Sequence, residues 1–163
     1  MKKFLLIILL SGFLNSTFAQ TAAKSIYAEL GGPGLASFNF DTRFTKKEDG
    51  IGGRIGIGGF NIDGESLLTV PLGITYLIGK DEKHYFEIGG GFTYVKYKSD
   101  FLVDEGTFES NFGHLYFGYR VQPKEGGFLF RAAIVPIFNG DGFIPYYAGV
   151  SFGYKFNSNK KAE

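Results

Sequence analysis

Eight ionisable residues stand in segments where apolar side chains alternate with small or polar ones, each on the parity opposite the apolar set. Five are basic (Arg43, Arg54, Arg120, Arg131, Lys155) and three are acidic (Glu29, Asp41, Glu87). Alternate residues of a strand point to opposite faces, so all eight belong to one side of a sheet. Two kinds of chemistry suit them. They can pair with one another in a narrow interior and tie strands together, or they can line a path for a polar solute. A buried charge without a partner costs several kcal/mol, so pairing is expected. The surplus of two positive charges calls for a loop carboxylate, a water network or an anion.

Other candidate chemistry is sparse. His114 shares the inward parity, with Ser110 two inward positions before it. A Ser–His pair near a barrel rim would give a hydrolase its nucleophile and base, but packing in the lumen accounts for His114 better. His84 opens a segment beside GKDEK and reads as a solvated turn residue. Asp100, Asp104, Glu105 and Glu109 cluster in one connection. Four carboxylates can hold Ca²⁺, yet their spacing matches no 12-residue calcium loop, so a solvated acidic loop is expected and no metal site is assigned. The glycine-rich stretches GGPG (31–34) and GIGGRIGIGG (50–59) have no helix after them to bind phosphate. There is no cysteine, which excludes thiolate metal sites, disulfides and a Cys nucleophile. Lys and Arg number 17 against 16 Asp and Glu, so no basic face points to nucleic acid. The expectation is a protein without cofactor and without enzymatic activity.

The elements that must hold these residues are strands. Glycine supplies 25 of 163 residues and aromatics 18%, all Phe or Tyr; the alternation is clearest over residues 66–78, 84–97 and 145–156. Weaker examples cover 25–30, 35–44, 51–60, 108–121 and 127–138, for eight strands in all. Short charged turns (TKKEDG, GKDEK, PKEGG) alternate with GGPG, NIDGE, SDFLVDEGT and NGDGFI. With eight strands both termini fall at the end carrying the charged turns, as in an outer-membrane barrel with short periplasmic turns. GGPG is short for an outer loop; were residues 25–44 one bent strand, the count would be seven, an odd number foreign to bacterial single-chain barrels. Pro71 and Pro136 each remove a ladder donor, so a bulge or strand end is expected at both. Tyr94, Tyr97, Tyr146 and Tyr147 lie near strand ends and suit a membrane–water boundary.

Parity alone does not say which face is outside. A soluble barrel hides its apolar face and a membrane barrel displays it. The N-terminus favours the membrane. Lys2 and Lys3 precede an unbroken apolar run, FLLIILL, and small residues at 17 and 19 fit cleavage after Ala19. The run is too short to span about 30 Å of hydrocarbon. The expected organisation is a signal peptide over 1–19, a barrel over 20–156 and a polar tail over 157–163. Removal of Lys2 and Lys3 leaves 15 basic against 16 acidic residues.

The end of the chain carries a resemblance. GVSFGYKF (149–156) alternates Val150, Phe152, Tyr154 and Phe156 and closes on an aromatic, although seven residues follow it. It resembles the closing strand of the small outer-membrane β-barrel proteins of Gram-negative bacteria, of OmpA/OmpX-like eight-stranded architecture. YAELGGPGLASFNFDTRF (27–44), FEIGGGFTYV (86–95), GYRVQPKEGGFLFRAAIVPIF (118–138) and PYYAGVSFGYKF (145–156) extend the resemblance over most of the mature chain. It implies an all-β fold, an eight-stranded antiparallel up-and-down transmembrane barrel, with outer-membrane lipid as its surroundings. It further implies that Phe152, Tyr154 and Phe156 signal to the barrel-assembly machinery. It implies no activity. The function expected is structural, or interaction through the outer loops. The alternatives are a narrow channel for small or hydrophobic solutes and a secreted lipocalin-like binding barrel.

Overall fold

The computed structural model describes residues 22–62, 65–98 and 110–157. The segments 1–19 and 158–163, and the acidic loop with Asp100, Asp104, Glu105 and Glu109, lie outside the described residues. The alternating segments form β1 (Lys24–Gly31), β2 (Ala36–Arg43), β3 (Gly50–Ile62), β4 (Glu65–Ile78), β5 (His84–Lys98), β6 (Phe112–Val121), β7 (Gly127–Ile134) and β10 (Ala148–Lys155). Two-residue strands β8 (Ile137–Phe138) and β9 (Phe143–Ile144) lie between β7 and β10. Each long strand pairs antiparallel with the next, and β10 returns to β1 with Ser25 opposite Lys155 and Gly31 opposite Gly149. The sheet is thereby an eight-stranded closed barrel, which leaves no edge unpaired around its girth.

Residues 25–44 are two strands. Lys24 faces Thr42 and Leu30 faces Ala36 across β1 and β2. The GGPG connection between them is short because it turns inward. Gly32–Gly34 makes one 3-10 turn with Pro33 buried, entered through Gly31 and Gly32 at φ of +72° and +67°. Those angles are open to glycine at little cost. The Thr93 hydroxyl donates to the Pro33 carbonyl at 2.9 Å, and the Thr69 hydroxyl to the Gly34 carbonyl at 2.8 Å. A loop that plugs the mouth needs no length outside it.

The prolines correct one expectation. Pro71 is neither a bulge nor a strand end. It stands inside β4, opposite Thr93 of β5 in an unbroken register. On the β3 side the pairing passes from Ile55–Leu72 to Gly58–Thr69, skipping the positions opposite Pro71 and Val70 without a shift. The missing N–H therefore falls on the β3 side alone. Pro136 does end a strand: β7 stops at Ile134 and β8 resumes at Ile137, with the register against β6 unchanged. The Pro136 carbonyl still accepts from Leu115 N–H at 2.9 Å.

The two faces divide sharply. Outward positions carry exposed Ile26, Phe38, Ile57, Ile74, Phe86, Phe128 and Phe152, among many others. Inward positions carry the eight charged residues, none more than 4% exposed. This arrangement runs opposite to that of a soluble lipocalin-like barrel. Toward the end bearing the GGPG plug, the interior turns apolar, with Leu67, Val95, Phe112, Tyr116, Val135 and Ile137 clustered and Leu35, Ile144, Tyr97 and Tyr147 packed on them. Tyr97 and Tyr147 thus fill the mouth and do not face an interface as the sequence suggested. Tyr94 and Tyr146 are exposed.

Candidate functional site

The charged residues meet at mid-barrel because they are inward positions of seven strands, with Asp41 and Arg43 sharing β2. Seven of them form one chain of contacts. Arg43 Nη2 donates to both oxygens of Asp41, at 2.9 and 2.8 Å. Asp41 Oδ1 also accepts from Arg120 Nη2 at 3.1 Å. Arg120 Nη1 lies 3.6 Å from Glu87 Oε1. Arg131 grips Glu87 through a fork, Nε to Oε2 at 2.9 Å and Nη2 to Oε1 at 2.8 Å. Such bidentate pairing matches guanidinium to carboxylate geometry. Arg131 Nη1 is 3.9 Å from Glu29 Oε1, and Arg54 Nη2 donates to Glu29 Oε2 at 2.7 Å. Every carboxylate touches two arginines.

Neutral side chains complete the cluster. Asn39 accepts from Arg54 at 2.9 Å, Ser25 from Arg120 at 3.0 Å and Thr75 from Arg43 at 2.9 Å. Ser151 donates to Glu29 at 3.3 Å. The Arg131 guanidinium sits between the Tyr27 and Tyr116 rings, 4.4 and 4.8 Å from their centroids, where a ring face attracts a cation. Space for the arginines comes from glycine: a Cβ on Gly52 would lie 2.2 Å from Arg43 Cζ.

Lys155 is held apart from this chain. Its ammonium bonds Glu48 at 2.7 Å and the Lys124 carbonyl. Glu48 comes from the TKKEDG turn, folded under the barrel, and Gln122 Nε2 donates to its carboxylate at 3.2 Å. The loop carboxylate that the surplus of positive charge called for is therefore Glu48. Four arginines against three carboxylates leave the main chain of contacts with one positive charge in excess. Outside, on the same end, Lys83 N–H and His84 N–H donate to Asp81 at 3.1 and 2.7 Å. Those bonds, the one from His84 foremost, hold the Asp81 carboxyl below its usual range. The Lys124–Glu82 bond, 2.6 Å, raises the Lys124 ammonium.

The Ser–His pair does not assemble. His114 Nδ1 lies 3.3 Å from the Thr93 hydroxyl. Ser110 accepts from Asn139 at 2.8 Å and donates to Asp141 at 3.4 Å. His84 is more than a solvated turn residue, since it stacks on Tyr119 and bonds its hydroxyl. Among the described residues no three His, Asp or Glu side chains are grouped as metal ligands. Phe152, Tyr154 and Phe156 all face outward, with the Tyr154 and Phe156 rings edge to face at 5.7 Å. Sequence reading missed Tyr27, Tyr116, Asn39 and Gln122. Tyr27, Tyr116 and Asn39 were on the inward parity, which was the available signal.

The barrel aligns with solved structures. The N-terminal β-barrel domain of Pseudomonas aeruginosa OprF matches with a TM-score of 0.58 at 12% identity, over 84% of this chain and 98% of that one. The Yersinia pestis outer membrane protein Ail matches with a TM-score of 0.55 at 13% identity, over 85% and 99%. The fold is that of the small outer-membrane barrels. The outer membrane enzyme PagL aligns at a TM-score of 0.42, with 14% identity over 82% and 99%. No protein-family model matches the chain, and no curated protein matches it significantly. An outer-membrane barrel fold accounts for both faces at once, apolar toward lipid and polar toward the lumen.

Proposed function

We propose that the protein is a small integral outer-membrane barrel protein with a lumen closed by its own ion pairs, acting structurally or through its outer loops. In this reading residues 1–19 direct export, 20–156 form the barrel and 157–163 are a polar tail. Phe152, Tyr154 and Phe156 are read by the assembly machinery, and the outer membrane is the final location. The observation that carries the closed lumen is the run of contacts from Arg43 to Arg54, in which each buried carboxylate bridges two arginines. The mouths support it too: the GGPG turn occupies one and Glu48 lies across the other. An eight-stranded barrel is just wide enough for side chains to fill. A non-enzymatic role is supported by the separate engagement of Ser110 and His114.

The test has two parts. The native protein is fractionated and run on a gel before and after boiling. Extraction by detergent alone and a folded band of altered mobility are expected. Soluble, monodisperse protein recovered without detergent overturns the membrane reading. Purified barrel in a planar bilayer is then expected to give no steady current; a stable single-channel conductance replaces the closed lumen with the channel.

A further inference from the structure

The outer wall is not uniformly aromatic. On β1 the outward positions are Lys24, Ile26, Ala28 and Leu30. The registers set Ala28 directly between Phe38 of β2 and Phe152 of β10, and Ile26 between Phe40 and Tyr154. A methyl group between two benzyl groups leaves a slot along β1. An open depression of about 710 Å³ lies over it and reaches across β2 to Ile55, Gly56 and Ile57 of β3. Four residues before Ala28, roughly 13 Å along the strand at about 3.3 Å per residue, stands exposed Lys24. Lys46 and Lys47 are exposed at the same end, while the neighbouring Glu48 turns inward to Lys155. The slot therefore runs from a basic rim into an apolar channel.

We propose that this slot binds one anionic phospholipid of the leaflet at the turn end, with an acyl chain over Ala28 and the phosphate on Lys24. The inference rests on the membrane reading above. Three features fit this occupant. The slot's lining is apolar, with the Phe38 and Phe152 rings flanking Ala28, which suits a hydrocarbon chain. Its charged end is cationic, which selects a headgroup of net negative charge over a zwitterionic one. Lysine near a membrane surface attracts anionic lipid. A second copy of the barrel fits poorly. A two-fold contact at this place would set furrow against furrow and leave both empty.

The chain has no Trp, so one introduced Trp is a clean reporter. Tyr154→Trp places it in the slot wall; Tyr119→Trp places it outward on β6, three strands from β1. Each variant is reconstituted in phosphatidylcholine bilayers containing a minority of phosphatidylglycerol brominated on its acyl chains. The slot reporter is expected to sense brominated lipid enriched about fivefold over its bulk fraction, the gain expected from one lysine. The β6 reporter is expected to sense the bulk fraction. Lys24→Glu is expected to return the slot reporter to the bulk value, and Ala28→Leu to remove its enrichment by filling the furrow. Equal quenching at both reporters in the unaltered background overturns the site, leaving ordinary surrounding lipid. Enrichment that survives Lys24→Glu overturns the headgroup assignment. Shielding of the slot reporter that grows with protein density, with cross-linked dimers, hands the slot to a second copy. Absence of quenching at both reporters is a failure of a different kind, because the barrel is then not in the bilayer.

Discussion

Arg120 and Arg131 stand directly opposite each other across the β6–β7 ladder, and the Glu87 carboxylate lies against both, 3.6 Å from Arg120 Nη1 and 2.8 Å from Arg131 Nη2. Like charges at opposed positions destabilise a sheet. Glu87, from the neighbouring β5, makes the pairing tolerable. Glu87→Ala leaves two guanidiniums facing each other in a dry interior. It is expected to cost about 3–5 kcal/mol, as removing one partner of a buried pair does. The measurement is urea unfolding of barrel refolded in detergent. Adding Arg131→Met should recover part of the loss, giving a coupling energy in the double-mutant cycle. A lumen open to water predicts under about 1 kcal/mol and no coupling.

The GGPG plug is held by single hydrogen bonds. Thr69→Val keeps the shape and orphans the Gly34 carbonyl, so a loss of about 1–3 kcal/mol is expected. Amide exchange localises it. The Leu35 N–H, bonded to the Gly32 carbonyl at 3.2 Å, should exchange faster, while β1 and β2 amides stay protected. An unchanged Leu35 rate means that the plug is held by packing alone.

Phe156 lies beside the β1–β10 seam, its N–H donating to the Lys24 carbonyl at 2.9 Å. Phe156→Asp sets a charge on the outward face near its edge. Such charges cost from about 0 to 4 kcal/mol with depth, so the expected effect is a slowed insertion more than a lost equilibrium. Pulse-chase measurement of heat-modifiable barrel should show the delay. Normal assembly rate and normal outer-membrane levels refute a signalling role for this strand.

Asp81 supplies a pH test outside the wall. Its carboxyl is held low in the folded state, mainly by the His84 N–H. A group so lowered stabilises the fold above its unfolded value and stops doing so as pH falls through the folded value. The stability gap between the native protein and Asp81→Ala should therefore persist at neutral pH and close in acid. A gap independent of pH would assign the effect to turn geometry instead of charge.

Strand number and the inward set were legible because the alternation repeats in every wall segment. Glu29, Asp41, Arg43, Arg54, Glu87, Arg120, Arg131 and Lys155 were all placed on the buried side by parity. Their partners were not legible. Asp41 is the direct cross-strand neighbour of Arg54, yet it bonds Arg43 and Arg120, because contacts across a narrow lumen depend on tilt and side-chain reach. Glu48 was hidden for another reason: TKKEDG has the composition of a solvated turn, and only its return beneath Lys155 gives one of its acids a role. Pro71 was misread because a proline's cost depends on which neighbour its missing N–H would have served.

The Asp41–Arg120 bond joins β2 to β6, which lie four strands apart in either direction around the ring. It is a strut across the full diameter. A hydrogen bond tolerates only a few tenths of an ångström of stretch, roughly the spread between 2.7 and 3.2 Å, so the tube cannot turn oval along that axis without breaking it. Glu29–Arg54 and Glu87–Arg131 add shorter chords on either side. A cylinder braced in this way is stiff against lateral squeezing. Where the bilayer is thicker or thinner than the apolar belt, the lipid must stretch or compress to meet it, and the mismatch is taken up by the membrane instead of the protein's cross-section.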